Sequence, residues 1–150
     1  MKPIKELQDL IHLDMDAIGA YQKAIDACEH DFVAAKLREF QADHGRHVEE
    51  LSGEITRLGG KPEVKTDLKG FFIGGLTAVA SRGTHSALRT MKSNEQLTTS
   101  TYRKALEHGE LPVGARGLVQ RNYADEQRHL EWIENALRQR IWEQQPAQHA

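Results

Sequence analysis

Two short stretches of this chain carry nearly the same residues in the same order. One is Ala124-Asp125-Glu126-Gln127-Arg128-His129; the other, far upstream, is Ala42-Asp43-His44-Gly45-Arg46-His47. Ala, Asp, Arg and His fall in register. Each stretch is preceded by an acid with a tyrosine seven residues on, Asp14 with Tyr21 and Glu95 with Tyr102. On a helix, positions i and i+3 lie on one face, at a rise of roughly 1.5 Å per residue. Glu126 and His129 are therefore set to reach one point, as are His44 and His47. Carboxylates and neutral imidazoles together are a donor set for a divalent metal ion. The competing reading is an internal salt-bridge network. A single Glu-x-x-His is weak evidence for a metal. Two in-register copies, each with a matched acid on a partner helix, favour a metal site formed by Asp14, His44, His47, Glu95, Glu126 and His129.

The elements that must position these residues are helices. Apolar residues step by threes and fours through four segments, and no segment alternates as a strand does. The expected helices span about 4–28, 32–58, 84–108 and 112–142, with Asp31 as the N-cap of the second and a Gly59-Gly60 stop after it. The ionisable residues stand within the apolar seams: Asp14 between Ile11 and Ile18, His44 and His47 between Phe40 and Leu51, Glu95 between Met91 and Tyr102, Glu126 and His129 between Val119 and Ile133. In an antiparallel hairpin, residues equidistant from the turn lie level. Asp14 and His44/His47 flank a turn near residue 30, and Glu95 and Glu126/His129 flank one near residue 111. Two clusters facing each other at mid-bundle are expected. The predicted fold is an all-α four-helix bundle, one domain over residues 1–150, made of two helical hairpins joined by a long crossover (59–83). Within that crossover, Phe71–Ala80 is read as a short apolar helix; the sharper alternatives are a dimer contact, a membrane-touching segment or a contact surface for a partner.

Composition narrows the function classes. Hydrophobic residues make up 39% and charged residues 28%, a mix that suits long amphipathic helices, and the net charge is −2. A nucleic-acid binder would show a basic stripe, which is absent. Cys28 is the lone cysteine, so intrachain disulfides and cysteine-rich zinc sites are excluded. The charged N-terminus does not read as a signal peptide, and the longest apolar run is too short to span a bilayer. A cytoplasmic protein, forming a homodimer by default, is the expectation.

The polar seam resembles that of the ferritin-like superfamily, which includes rubrerythrins and bacterioferritins. That family takes a Glu from each of two helices and a Glu-x-x-His from each of the other two to bind two iron or manganese ions. Glu126-Gln127-Arg128-His129 matches one Glu-x-x-His and Glu95 one single Glu; the resemblance runs over roughly residues 4–142. The chain departs from the pattern at two positions. Asp14 stands where a Glu belongs, and His44 stands where the Glu of the other Glu-x-x-His belongs, often the residue that bridges the two ions. A neutral imidazole offers one free nitrogen, so the formal ligand charge falls from −4 to −3. Glu50 is a nearby acid that could compensate. Asp43 is read as a solvated flank, because it and Asp125 lie off the seam. The resemblance implies two iron ions, with manganese or zinc as other occupants, reacting with dioxygen or peroxide in a ferroxidase or peroxide-scavenging role. Tyr21, Tyr102 and Asn122 are candidates for orienting the ligands from behind, and an electron relay is the alternative role for the tyrosines. His12, His30, His85, His108 and His149 are read as surface residues. The rival from another class is a non-enzymatic bundle with a structural ion such as zinc or a residual salt-bridge network; a third reading is an interaction protein that uses Phe71–Ala80 as its contact surface. His44 discriminates: facing the centre it keeps the site whole, whereas turned outward or paired with Glu50 it would leave the site inert.

Overall fold

The computed structural model describes residues 2–64 and 83–144. They form four long helices, α1 (Lys2–Ala27), α2 (Asp31–Arg57), α3 (Thr84–His108) and α4 (Val113–Arg138), and a final 3-10 turn at Ile141–Glu143. This is an all-α four-helix bundle. The short apolar helix expected at Phe71–Ala80 lies outside the described residues.

Each helix forms because one stripe is apolar and the remainder is charged. The stops are local. Gly59 adopts φ 86° after the last turn of α2, its N–H donates to Thr56 O, and the Gly60 N–H donates to Ile55 O at 2.9 Å. These are the two reversed bonds of a Schellman cap, which favours glycine at the left-handed position. The start of α2 differs from the sequence expectation. His30, not Asp31, is the N-cap: its backbone is extended and its Nδ1 accepts from the Val33 N–H. Asp31 lies in the first helical turn, where its charge faces the positive end of the helix dipole. The fourth helix also ends earlier than the expected residue 142. Arg140 turns left-handed at φ 50°, and the chain folds back so that Trp142 stacks on His85 at 4.2 Å between ring centroids.

Hydrogen bonds between helices fix the topology. The end of α2 returns to the start of α1, where Gln8 bonds the backbone of Glu63. The start of α3 sits at the other end of α1: the Gly83 N–H donates to Ala27 O, and the Glu29 N–H to Thr84 Oγ1. Thus α2 and α3 run in the same direction, and the end of one lies a bundle length from the start of the other, about 40 Å for a helix of this size. The bundle is two hairpins, α1–α2 and α3–α4, with α1 antiparallel to α3.

Two apolar clusters fill the interior. One contains Tyr21, Leu37, Phe40, Leu88, Met91 and Ile133; the other contains Leu7, Ile11, Leu51, Ile55, Tyr102 and Val119. Between them lies a layer of fully buried polar residues, Asp14, His44, His47, Glu95, Glu126 and His129, each with zero exposure. The fold therefore sets its ionisable residues in a slab closed above and below by hydrocarbon. Among the described residues no helix is long and apolar enough to cross a membrane.

Candidate metal centre

All four helices contribute to the polar layer. Asp14 comes from α1, His44 and His47 from α2, Glu95 from α3, Glu126 and His129 from α4. The expectation of two facing clusters is modified: the two sets interlock and share members. On one side, Asp14 Oδ1 lies 2.6 Å from His44 Nδ1 and 3.0 Å from His47 Nδ1. On the other, Glu95 Oε2 lies 3.0 Å from both His44 Nε2 and His129 Nδ1. Glu126 reaches both. Its Oε1 is 3.2 Å from His44 Nε2 and its Oε2 is 3.3 Å from His47 Nδ1. Two groups of four, Asp14/His44/His47/Glu126 and His44/Glu95/Glu126/His129, each bring donor atoms within 4.8 Å of one another, close enough to hold a metal ion.

The surrounding residues explain how this layer stays in place. Tyr102 donates to Asp14 Oδ2 at 2.5 Å, and Tyr21 donates to Glu95 Oε2. The pairing is crossed: each tyrosine serves the acid of the other helix, as the antiparallel run of α1 and α3 requires. Asn122 stands behind Tyr102, its Nδ2 3.4 Å from the hydroxyl. Thr98, a seam residue to which the sequence assigned no role, donates to Glu95 Oε1 at 2.7 Å and lies 3.3 Å from Glu126 Oε1.

Asp43 and Asp125 are not solvated flanks. Asp43 accepts from His129 Nε2 at 2.7 Å and Asp125 from His47 Nε2 at 2.9 Å. Each aspartate thus holds the histidine of the opposite helix with its Nδ1 turned inward, the arrangement by which a carboxylate fixes the ring of a metal-binding histidine. Arg128 bonds Asp43 and Asp125, and Arg46 does the same from the other helix. The in-register recurrence of Asp43 and Asp125 was the available signal. Their position off the seam hid it, because their partners lie on another helix. Glu50 does not join the layer; it is half-buried and lies 3.9 Å from Arg46 Nε. Among the described histidines outside the seam, His12 pairs with Gln8, His30 caps α2 and His85 stacks on Trp142, and none of them reaches the layer.

Electrostatics follow from this geometry. Burial opposes charge on every group, and the partners overcome it at most positions. Burial pulls the His47 and His129 imidazoliums down, but Asp14 and Glu126 raise His47 to about 10, and Asp43, Glu126 and Glu95 raise His129 to about 9. His44 is likewise raised well above its ordinary value, by Glu126, Glu95 and Asp14. Burial pushes Asp14 and Glu95 up, yet their histidines hold both below the usual carboxylate range. Glu126 goes the other way. Burial raises it, His44 opposes, and the charge on Glu95 adds to the rise. Burial and the neighbouring acids keep the Tyr21 and Tyr102 hydroxyls protonated, so both act as donors. Glu126 Oε2 is buried and makes no hydrogen bond; its contact is the ion pair with His47 Nδ1 at 3.3 Å. A buried carboxylate oxygen without a hydrogen bond costs stability unless something else binds it.

The donor chemistry is carboxylate and imidazole with no thiolate, since Cys28 lies at the bundle end beside Thr84. A family model described as "Domain of unknown function (DUF2383)" matches residues 2–108. The chain belongs to that family. The DUF2383 match takes in Asp14, His44, His47 and Glu95; Glu126 and His129, on α4, lie beyond it. The chain is also similar to an uncharacterized protein, YhjR of Bacillus subtilis (strain 168), at 29% identity over 133 residues, 87% of this chain and 83% of that one.

Proposed function

We propose that this protein is a ferritin-like metal protein that holds two ions, iron before manganese or zinc, in the layer of Asp14, His44, His47, Glu95, Glu126 and His129. Its partner in reaction would be dioxygen or peroxide, in a ferroxidase or peroxide-scavenging role. The observation that carries this reading is the pair of four-donor groups sharing His44 and Glu126, with one buried Glu126 oxygen left without a hydrogen bond. His44 faces the centre, not Glu50, so the substitution of Glu by His does not reduce the donor count of either group.

Asp14 and His47 would hold one ion and Glu95 and His129 the other, with Glu126 and His44 between them. Iron bound there would supply one-electron exchange between the ferrous and ferric states. The chain's own residues supply the surroundings. Asp43 and Asp125 orient the two outer histidines, and Tyr102 and Tyr21 hold Asp14 and Glu95 by hydrogen bonds. The two apolar clusters exclude bulk water from the layer. Because ligands must be deprotonated, loading displaces the inward protons of His47 and His129, and affinity rises with pH. The test is ferrous loading without oxygen, followed by addition of dioxygen or peroxide, with ferric absorbance followed in time. Oxidation faster than in buffer, and lost in Glu126→Gln, is expected; oxidation at the buffer rate would remove the redox half of the proposal.

A second reading has its own observation. Each buried histidine already has carboxylates at both nitrogens, so the three imidazoliums pair with Asp14, Asp43, Glu95 and Asp125 in a network that needs no ion. In that case the protein is a structural bundle, and its melting temperature does not move when metals are added.

A further inference from the structure

The two nitrogens of His44 point in different directions. Nδ1 lies 2.6 Å from Asp14 Oδ1, in the group that also contains His47. Nε2 lies 3.0 Å from Glu95 Oε2, in the group that contains His129. His44 therefore spans both donor groups through its ring, as Glu126 spans them through its two oxygens. The ring is fully buried and wedged by Tyr21, His47 and His129, with centroids 5.4, 5.5 and 5.3 Å away. A half-turn of the ring about Cβ–Cγ would put Cδ2 and Cε1 where the two nitrogens stand and lose both contacts, so the two carboxylates select this orientation.

We infer that His44 is a bridging ligand, with one ring nitrogen on each of two metal ions. The inference rests on the metal reading above and deepens it. A neutral imidazole has one lone pair free for a metal, so bridging requires that both ring protons leave. They pass to solvent as the two metal–nitrogen bonds form, since bound cations take the place of protons on their ligands. The ring then carries a charge of −1. With Asp14, Glu95 and Glu126 this restores the formal ligand charge of −4 that the loss of a glutamate removes. The price of the His-for-Glu substitution is distance. Two metal–nitrogen bonds of about 2.1 Å on opposite sides of one ring place the ions about 6 Å apart. Two-metal sites that clamp a shared oxygen hold their ions at about 3.5–4 Å.

The experiment is anomalous X-ray diffraction from the full chain loaded with cobalt(II) alone, with cobalt per chain counted in solution. Two cobalt ions about 6 Å apart with the His44 ring between them are expected. Two ions at about 3.5–4 Å, with His44 on one ion or neither, would overturn the bridge and leave the dinuclear site standing. One ion per chain would overturn the bridge and leave a mononuclear metal protein. No cobalt would overturn the bridge together with the metal reading. His44→Glu gives the complementary measurement. It is expected to keep two ions and bring them to about 3.5–4 Å, and an unchanged separation would overturn the bridge. Should that variant fail to fold, the native chain alone decides the matter.

Discussion

Removing one hydroxyl, in Tyr102→Phe, tests whether the polar layer is held by its hydrogen bonds. Tyr102 is fully buried, and phenylalanine fills nearly the same space, so the substitution makes no cavity. It deletes the 2.5 Å bond to Asp14 Oδ2. Asp14 keeps His44 and His47, but both of these bond Oδ1. Oδ2 is then left buried and without its donor. A hydrogen bond to a charged group contributes about 1.5–3 kcal/mol. In a domain of this size each kcal/mol moves the melting temperature by about 2–4 °C. The expected fall in the metal-free protein is therefore about 3–12 °C. Tyr21→Phe is the control. Its partner, Glu95 Oε2, retains both His44 and His129, so the loss should be smaller. Thermal unfolding followed by circular dichroism in chelator measures both. A Tyr102→Phe protein that melts within a degree of the parent, or a larger loss in Tyr21→Phe, would refute the reasoning.

Other outcomes follow from the same geometry. Asp43→Asn and Asp125→Asn should each weaken metal binding by roughly 10–100-fold, since each frees one histidine ring; calorimetric titration with ferrous ion measures it, and unchanged affinity would show that the aspartates only serve the arginines. The metal-free protein should respond to pH with a definite sign. His47 and His129 are raised to about 10 and about 9, so their contribution is whole below about 6.5 and is lost as pH climbs through 9 to 10. Asp14 and Glu95 are lowered, so theirs is lost only below about 4. Melting temperatures that rise between pH 8 and 10 would contradict this. Gly59→Ala has open space around the new methyl but a backbone at φ 86°, and should cost about 1–2 kcal/mol. Gly45→Ala, also in open space but inside α2, should instead stabilise by about 0.5–1 kcal/mol; urea unfolding separates the two signs.

How much was legible beforehand depended on whether a residue's partner could be reached by counting along the chain. The seam positions of Asp14, His44, His47, Glu95, Glu126 and His129 follow from helical period and equidistance from the turns, and all six meet in one layer. The bundle was legible for the same reason. Asp43 and Asp125 were not, because they stand one residue, about 100° of helix, away from the seam. They become interior partners only because α2 and α4 pack close enough for each to reach the other's histidine. Thr98 lay in the seam, but a threonine there reads as filler until Glu95 and Glu126 are seen beside it. The N-cap of α2 was misread because Asp is the commoner cap, whereas here the imidazole of His30 does the work. The substitution at His44 was visible in the sequence, but that both its nitrogens would be engaged is a matter of side-chain direction, which spacing does not encode.

The most direct test of the central claim is metal content per chain in untagged protein after anaerobic ferrous loading and desalting. Two irons per chain, lost in Glu126→Ala and in His129→Ala variants that still fold, are expected, because Glu126 belongs to both donor groups and His129 to one. A chain that retains no iron and whose melting temperature ignores added metal would contradict the account and leave a salt-bridged bundle in its place.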